Sequence, residues 1–253
     1  MSNNFKDHFS DASANYNQFR PTYPRALFDY LCTLPLATNS AWDCATGNGQ
    51  AAVELSISFS HVVATDASNN QISSAIKKDN INYRVEPAET SSIDSCSVDL
   101  VTVAQALHWF DIEKFGTEVL RVLKPHGVLA AWTYHLLHIN PALDALINHL
   151  CNVTLMDYWP PERRMVDNAY EGIHFPDGLE ALETTIIPMY TDWTLDELIG
   201  YLNTWSATKR YYKETNIDPV SDIRNEFFDS WGHANDRLKA EWPLTVKTWR
   251  KIA

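Results

Sequence analysis

No stretch constrains this chain more than Ala41-Trp-Asp-Cys-Ala-Thr-Gly-Asn-Gly-Gln50, where an apolar run meets an acid, then a turn with two glycines, then a helical pattern. Glycines let backbone N–H groups approach a ligand closely, and the start of a helix adds a partial positive field. Asp43 contributes the opposite sign at the end of the strand. Such a turn suits a small ligand that carries both charges at one end.

The residues that follow alternate apolar runs with helical spacing, the pattern of βα units around a mostly parallel sheet. Strands are expected at Ser40 to Ala45, His61 to Thr65, Ile81 to Val85, Val98 to Ala104 and Gly127 to Trp132, with helices at Gln50 to Phe59, Asn70 to Lys78 and Ile112 to Leu123. Ser68 with Gln71 reads as a capping box and Asp111 as an N-cap. Beyond Asn140 the alternation weakens. A helical stretch at Pro141 to Met156 leads past Trp159-Pro-Pro161 into an irregular segment ending at Leu182. A strand at Leu182 to Trp193, a helix opened by Thr194 and Glu197, and a closing strand at Leu244 to Ile252 complete the reading.

With 253 residues, 45% hydrophobic and 21% charged, the chain has the composition of a globular protein with a sizeable core. The formal charge of −12, acidic in both halves, leaves no broad positive surface for a phosphate backbone, so nucleic acid is not an expected partner. The four cysteines, Cys32, Cys44, Cys96 and Cys151, form no CxxC pair, which argues for reduced thiols and against a zinc ribbon. The polar start lacks an apolar signal core, and no segment reads as membrane-spanning, so a cytoplasmic protein without a membrane partner is expected. Oligomeric state is not legible.

A second acid, Asp66, ends the apolar run Val62-Val-Ala-Thr, where a carboxylate can accept both hydroxyls of a ribose. Gly47-Asn-Gly49-Gln-Ala-Ala52 also fits the GxGxxA dinucleotide fingerprint, so an NAD-dependent oxidoreductase is a competing reading. A buried Asp43 beside a pyrophosphate would be repulsive, whereas S-adenosylmethionine (SAM), with its amino-acid tail and sulfonium, fits an acid next to glycine amides.

Together with Ala88-Glu89, the run Ser97-Val-Asp-Leu-Val-Thr-Val-Ala-Gln-Ala-Leu-His-Trp-Phe110 and Leu120-Arg-Val-Leu-Lys-Pro-His-Gly127, these residues resemble the class I SAM-dependent methyltransferases over about residues 16 to 134. Tyr16 to Pro24, Tyr158-Trp-Pro-Pro-Glu-Arg-Arg164 and Thr204-Trp-Ser-Ala-Thr-Lys-Arg-Tyr211 are similar to the trans-aconitate methyltransferase subgroup. The resemblance implies a doubly wound, mostly parallel seven-stranded α/β sheet with an inserted helical cap after the fifth strand. It implies an arm and helix over the cofactor in 1–34, a SAM-binding core in 35–139, the inserted cap in 140–181, and the rest of the sheet with a helical substrate cap in 182–253. The amino-acid tail of SAM would lie by Asp43, Ala45, Gly47 and Gly49, ribose at Asp66, adenine near Ala67, Ala88 and Glu89, and Gln105 would face the cofactor. Two positions depart from the family pattern: Ala45 replaces its first glycine, which suits only a negative φ, and Pro87 replaces a common adenine-binding aspartate.

Displacement at a sulfonium asks the protein mainly to align the partners and exclude water. A carboxylate acceptor needs no general base, a phenol or acidic carbon does. His108 is the candidate catalytic group, because an imidazole titrates near working pH; otherwise it merely holds its loop. Arg163, Arg164, Lys209 and Arg210 are the concentrated cations of the C-terminal half and would clamp a small carboxylate, unless they are solvated surface charges. Trp109 and Trp159, with Trp193 and Trp205, would line the acceptor pocket or simply pack the core. Tyr16 and Arg20 would fold over the cofactor and reach its carboxylate, or pack on the sheet edge. No histidine set has metal-ligand spacing. The expected activity is SAM-dependent methylation of a small molecule, carboxylate O-methylation foremost, with a SAM-binding protein lacking catalysis as a further alternative.

Overall fold

The computed structural model describes residues 19–233 and 235–253. After α1 (Arg25–Thr33) the chain lays down β1 (Ser40–Cys44), α2 (Gln50–Leu55), β2 (His61–Asp66), α3 (Asn69–Ser74), β3 (Ile81–Val85), β4 (Val98–Ala104), α4 (Ile112–Val122) and β5 (Leu123–Thr133). The five strands are parallel in the spatial order 3-2-1-4-5. Central strands β1 and β4 are covered on both faces, which is why they read as unbroken apolar runs.

Four short helices lie in the following region: α5 (Pro141–His149), α6 (Arg163–Asp167), and, past β6 (Leu179–Ala181) and β7 (Thr185–Trp193), α7 (Leu195–Asn203) and α8 (Ser206–Thr215). Then come α9 (Pro219–Asp222), α10 (Arg224–Trp231) and β8 (Leu238–Lys251), which runs antiparallel against β5. Both β6 and β7 pair with β8, β6 opposite Trp249 to Lys251 and β7 opposite Leu238 to Val246. The eight strands therefore occupy seven positions, the outer one interrupted at Leu182 to Thr184. The segment expected to be irregular thus contributes both α6 and this edge strand.

Local chemistry explains most boundaries. Asp111 accepts from the Lys114 N–H at 3.2 Å and starts α4, whose Phe115, Val119 and Val122 form one buried stripe. Thr194 and Glu197 complete a capping box at α7. Ser68 makes no side-chain cap, contrary to expectation, because its N–H is taken by Asp66 at 2.8 Å and its hydroxyl is buried. Helix α3 ends early where the Ile76 N–H turns to the Asn48 carbonyl. The expected helix from Pro141 to Met156 passes into a π-turn at Leu150–Thr154: the Trp159 indole takes the Cys151 carbonyl at 2.9 Å, and the Leu155 N–H reaches back to Leu150 instead.

Two apolar layers flank the sheet. Leu27, Phe28, Ala52, Leu55, Trp132, Leu143, Leu198 and Trp242 belong to one, Trp42, Val101, Phe115, Val119, Leu129 and Trp249 to the other. No helix among the described residues is long and apolar enough to cross a membrane.

Candidate active site

All five parallel strands deliver their carboxyl ends to one edge, and the chain reverses direction there between β1 and β4, where open α/β sheets bind ligands. At the end of β1, Ala45, Gly47 and Gly49 all take left-handed φ values of +53°, +58° and +89°. The expectation of a negative φ at Ala45 is therefore wrong. The Thr46 N–H is hooked to the Thr65 carbonyl of β2 at 2.9 Å, and the chain turns out of the sheet within one residue by bending at Ala45.

Asp43 lies beneath this turn, fully buried, accepting from the Thr46 hydroxyl at 2.5 Å and the Thr102 hydroxyl at 2.8 Å. Burial pushes its carboxyl up to about 6, against the hydroxyl bonds that pull it down. The acid carries the turn from below. Asp66 ties the turn to the next strand: one oxygen accepts the Gly47 N–H at 2.9 Å, the other the Ser68 N–H. Ala67 beside it is exposed, Ala88 is buried, and Glu89 accepts the Asp111 N–H at 3.0 Å.

Past β4, Gln105 also adopts a left-handed φ of +54°. Its carbonyl oxygen accepts from the Thr133 hydroxyl at 2.6 Å, and its amide nitrogen donates to the Tyr134 carbonyl at 3.3 Å. His108 follows in a short turn, its Nδ1 3.2 Å from the Tyr170 hydroxyl and its ring 4.7 Å from that of Trp109. Burial, with the charge of Arg163, pushes the imidazole down to about 4. The expectation that it titrates near neutrality is corrected: His108 is neutral there.

The four expected clamp residues separate. The guanidinium of Arg163 stacks 4.1 Å from the centre of the Trp159 ring and its Nε donates to Asp167 at 2.7 Å. Arg164, the next residue on α6, is exposed. Arg210 donates to the Tyr158 carbonyl at 3.0 Å, holding chain to chain. Lys209 lies near Arg20: burial first, then the Arg20 charge, lowers its ammonium. Arg20 itself sits over the Tyr201 ring and donates to the Tyr134 hydroxyl at 3.3 Å. Trp159, Trp205 and Tyr201 form a continuous aromatic wall from Arg163 to Arg20. Trp193 packs inside it, against Tyr201 and Trp242. Tyr16 lies outside the described residues.

Sequence reasoning missed Thr133, Tyr134, Tyr170 and Tyr201. Tyr170 lies in a left-handed bend after α6, with φ +58°, and nothing local in the sequence links it to His108.

Residues 42–131 match the model of a methyltransferase domain. A Dictyostelium discoideum protein described as a methyltransferase is 34% identical over 231 residues, covering 90% of this chain and 87% of its own. A Saccharomyces cerevisiae protein described as an S-adenosylmethionine-dependent methyltransferase is 34% identical over 131 residues, 48% of this chain and 45% of its own. Among solved structures, an Anaeromyxobacter dehalogenans protein described as a type II methyltransferase superposes with a TM-score of 0.87 at 37% identity, over 92% of this chain and 99% of that one.

Proposed function

The chain belongs to the class I SAM-dependent methyltransferases, and from that membership we propose that it esterifies a carboxylate of a small organic acid, in the manner of the trans-aconitate subgroup. SAM supplies a methyl group already activated on a sulfonium. The turn fits that cofactor: Gly47 and Gly49 bring bare backbone to the strand ends, and Asp66 stands at the end of β2, where a carboxylate can take the hydroxyls of a ribose. In this reading Ala45, Gly47 and Gly49 border the amino-acid tail, with Asp43 supplying negative field from below. Ala67, Ala88 and Glu89 flank adenine, Gln105 closes the tail side, and Arg20 reaches the cofactor carboxylate.

The acceptor lies between the strand ends and the aromatic wall, among His108, Trp109, Trp159, Arg163 and Lys209. One observation carries the choice of an acid. Lys209 is exposed, and among the described residues no carboxylate pairs with it, which leaves its ammonium open to an anionic acceptor. A carboxylate oxygen is nucleophilic without losing a proton, so a neutral His108 is sufficient to orient it. Arg164 and Arg210 are left out of this site.

The experiment is transfer from methyl-labelled SAM to a panel of small acids, phenols and amines, read by mass. Methyl esters are expected, and Lys209→Met should raise KM for the acid several-fold while SAM affinity holds. Transfer confined to amines or phenols would refute the reading.

A further inference from the structure

Between β3 and β4 the segment 86–97 forms neither strand nor helix and lies along α4. Glu118 of that helix, 8% exposed, accepts the Ser91 N–H at 2.7 Å and the Ser91 hydroxyl at 2.6 Å. The Arg121 guanidinium grips the same carboxylate bidentately, at 2.8 and 2.7 Å. Its Nη1 and Nη2 also donate to the Ile93 carbonyl at 2.7 Å, the Ser95 hydroxyl at 3.2 Å and the Ser91 carbonyl at 3.2 Å. The Arg121 and Val122 carbonyls accept from the N–H groups of Cys96 and Ser97, each at 2.9 Å. Nearer β3, Glu89 bonds the Asp111 N–H at the start of the same helix.

We infer that Glu118 and Arg121 are positioning residues for the adenine end of SAM: they fasten the 86–97 segment to α4 and so fix where Ala88 presents its backbone. The Glu86 N–H bonds the Asp66 carbonyl at 3.1 Å, so the segment starts beside the acid assigned to ribose. Ala88 is buried in the apolar cluster that holds Cys44 and Ala106, at the carboxyl ends of β1 and β4. Proline at 87 leaves that position neither a carboxylate nor an N–H for the base. Recognition therefore falls to backbone groups, which cannot swing after a misplaced base as a side chain can. A segment free to move would have to be ordered at each binding event, at a cost in affinity. Lysine at 121 would keep the charge but not the planar fork that spans a carboxylate and two carbonyls. The inference rests on adenine lying at Ala88, as proposed above.

The test compares two ligands on the full chain by titration calorimetry: S-adenosylhomocysteine, and S-ribosylhomocysteine, which has the same sugar and tail but no base. The wild type should prefer the first. Arg121→Lys should weaken S-adenosylhomocysteine roughly tenfold, and Ser91→Ala by less, while S-ribosylhomocysteine binds both variants as it binds the wild type. The preference for the base-bearing ligand should thus shrink. A merely structural role would lower Tm and move both affinities together or neither. Either result, with the wild-type preference intact, overturns the inference alone. Equal affinities in the wild type would overturn the placement of adenine and the inference with it. If Arg121→Lys fails to fold, Ser91→Ala, which leaves the Glu118–Arg121 pair whole, still decides it.

Discussion

Tyr83 lays its hydroxyl directly over the α-carbon of Gly49, so that a Cβ there would come within 2.3 Å of the phenol oxygen. The same hydroxyl donates to the Ile76 carbonyl at 2.8 Å and cannot simply swing away. Gly49 therefore answers two demands, a φ of +89° and a tyrosine on its surface. Gly49→Ala should cost about 2 kcal/mol or more, lowering Tm by roughly 4–8 °C for a chain of this size. In a Tyr83→Phe background the cost should shrink, because the nearest atom is gone. Equal costs in both backgrounds, measured by thermal melts, would assign the whole penalty to the backbone.

Ala45 carries the opposite lesson. Its φ of +53° costs a residue with a side chain roughly 1–2 kcal/mol, while glycine gives back about 0.5–1 kcal/mol through its freer unfolded state. Ala45→Gly should therefore raise Tm by a few degrees. A fall in Tm would mean that the methyl group makes packing contacts worth more than the strain.

The βα half was legible because β1, β2 and β4 are largely buried apolar runs and the acids Asp43 and Asp66 stand at or near the strand ends. The cap was not, for geometric reasons. Neighbouring residues on a helix point about 100° apart, so Arg163-Arg164 and Lys209-Arg210 cannot each send two charges to one place. Arg163 lies on Trp159 while Arg164 is exposed, and Lys209 nears Arg20 while Arg210 holds a carbonyl. Tyr170 reaches His108 across 62 residues through a bend that no periodicity announces.

Asp43 should mark the stability curve. Burial raises its carboxyl to about 6 from the ordinary 3.8, so the folded state holds this proton more tightly than the unfolded one. That contribution is complete below the unfolded value and is lost as pH rises through 6. It amounts to roughly 3 kcal/mol at two pH units. Chemical denaturation from pH 4 to 8 should show wild type losing about this much relative to Asp43→Asn. The variant should also bind SAM roughly tenfold more weakly, for want of the negative field. Parallel stability curves for the two proteins would refute the assignment.

Arg163 and His108 should be coupled through charge. His108 is pushed down to about 4 chiefly by burial, then by the Arg163 guanidinium. The stability that depends on a neutral His108 is complete above the unfolded value near 6.5 and is lost as pH falls toward 4. Arg163→Met removes the cation but leaves the burial, so the ring should titrate higher than in wild type yet still below 6.5. The acid-side loss of stability should shift with it toward the narrower interval. A proton NMR titration of the His108 ring in both proteins measures this. An unmoved midpoint would mean that Arg163 bears on the acceptor alone and not on the histidine.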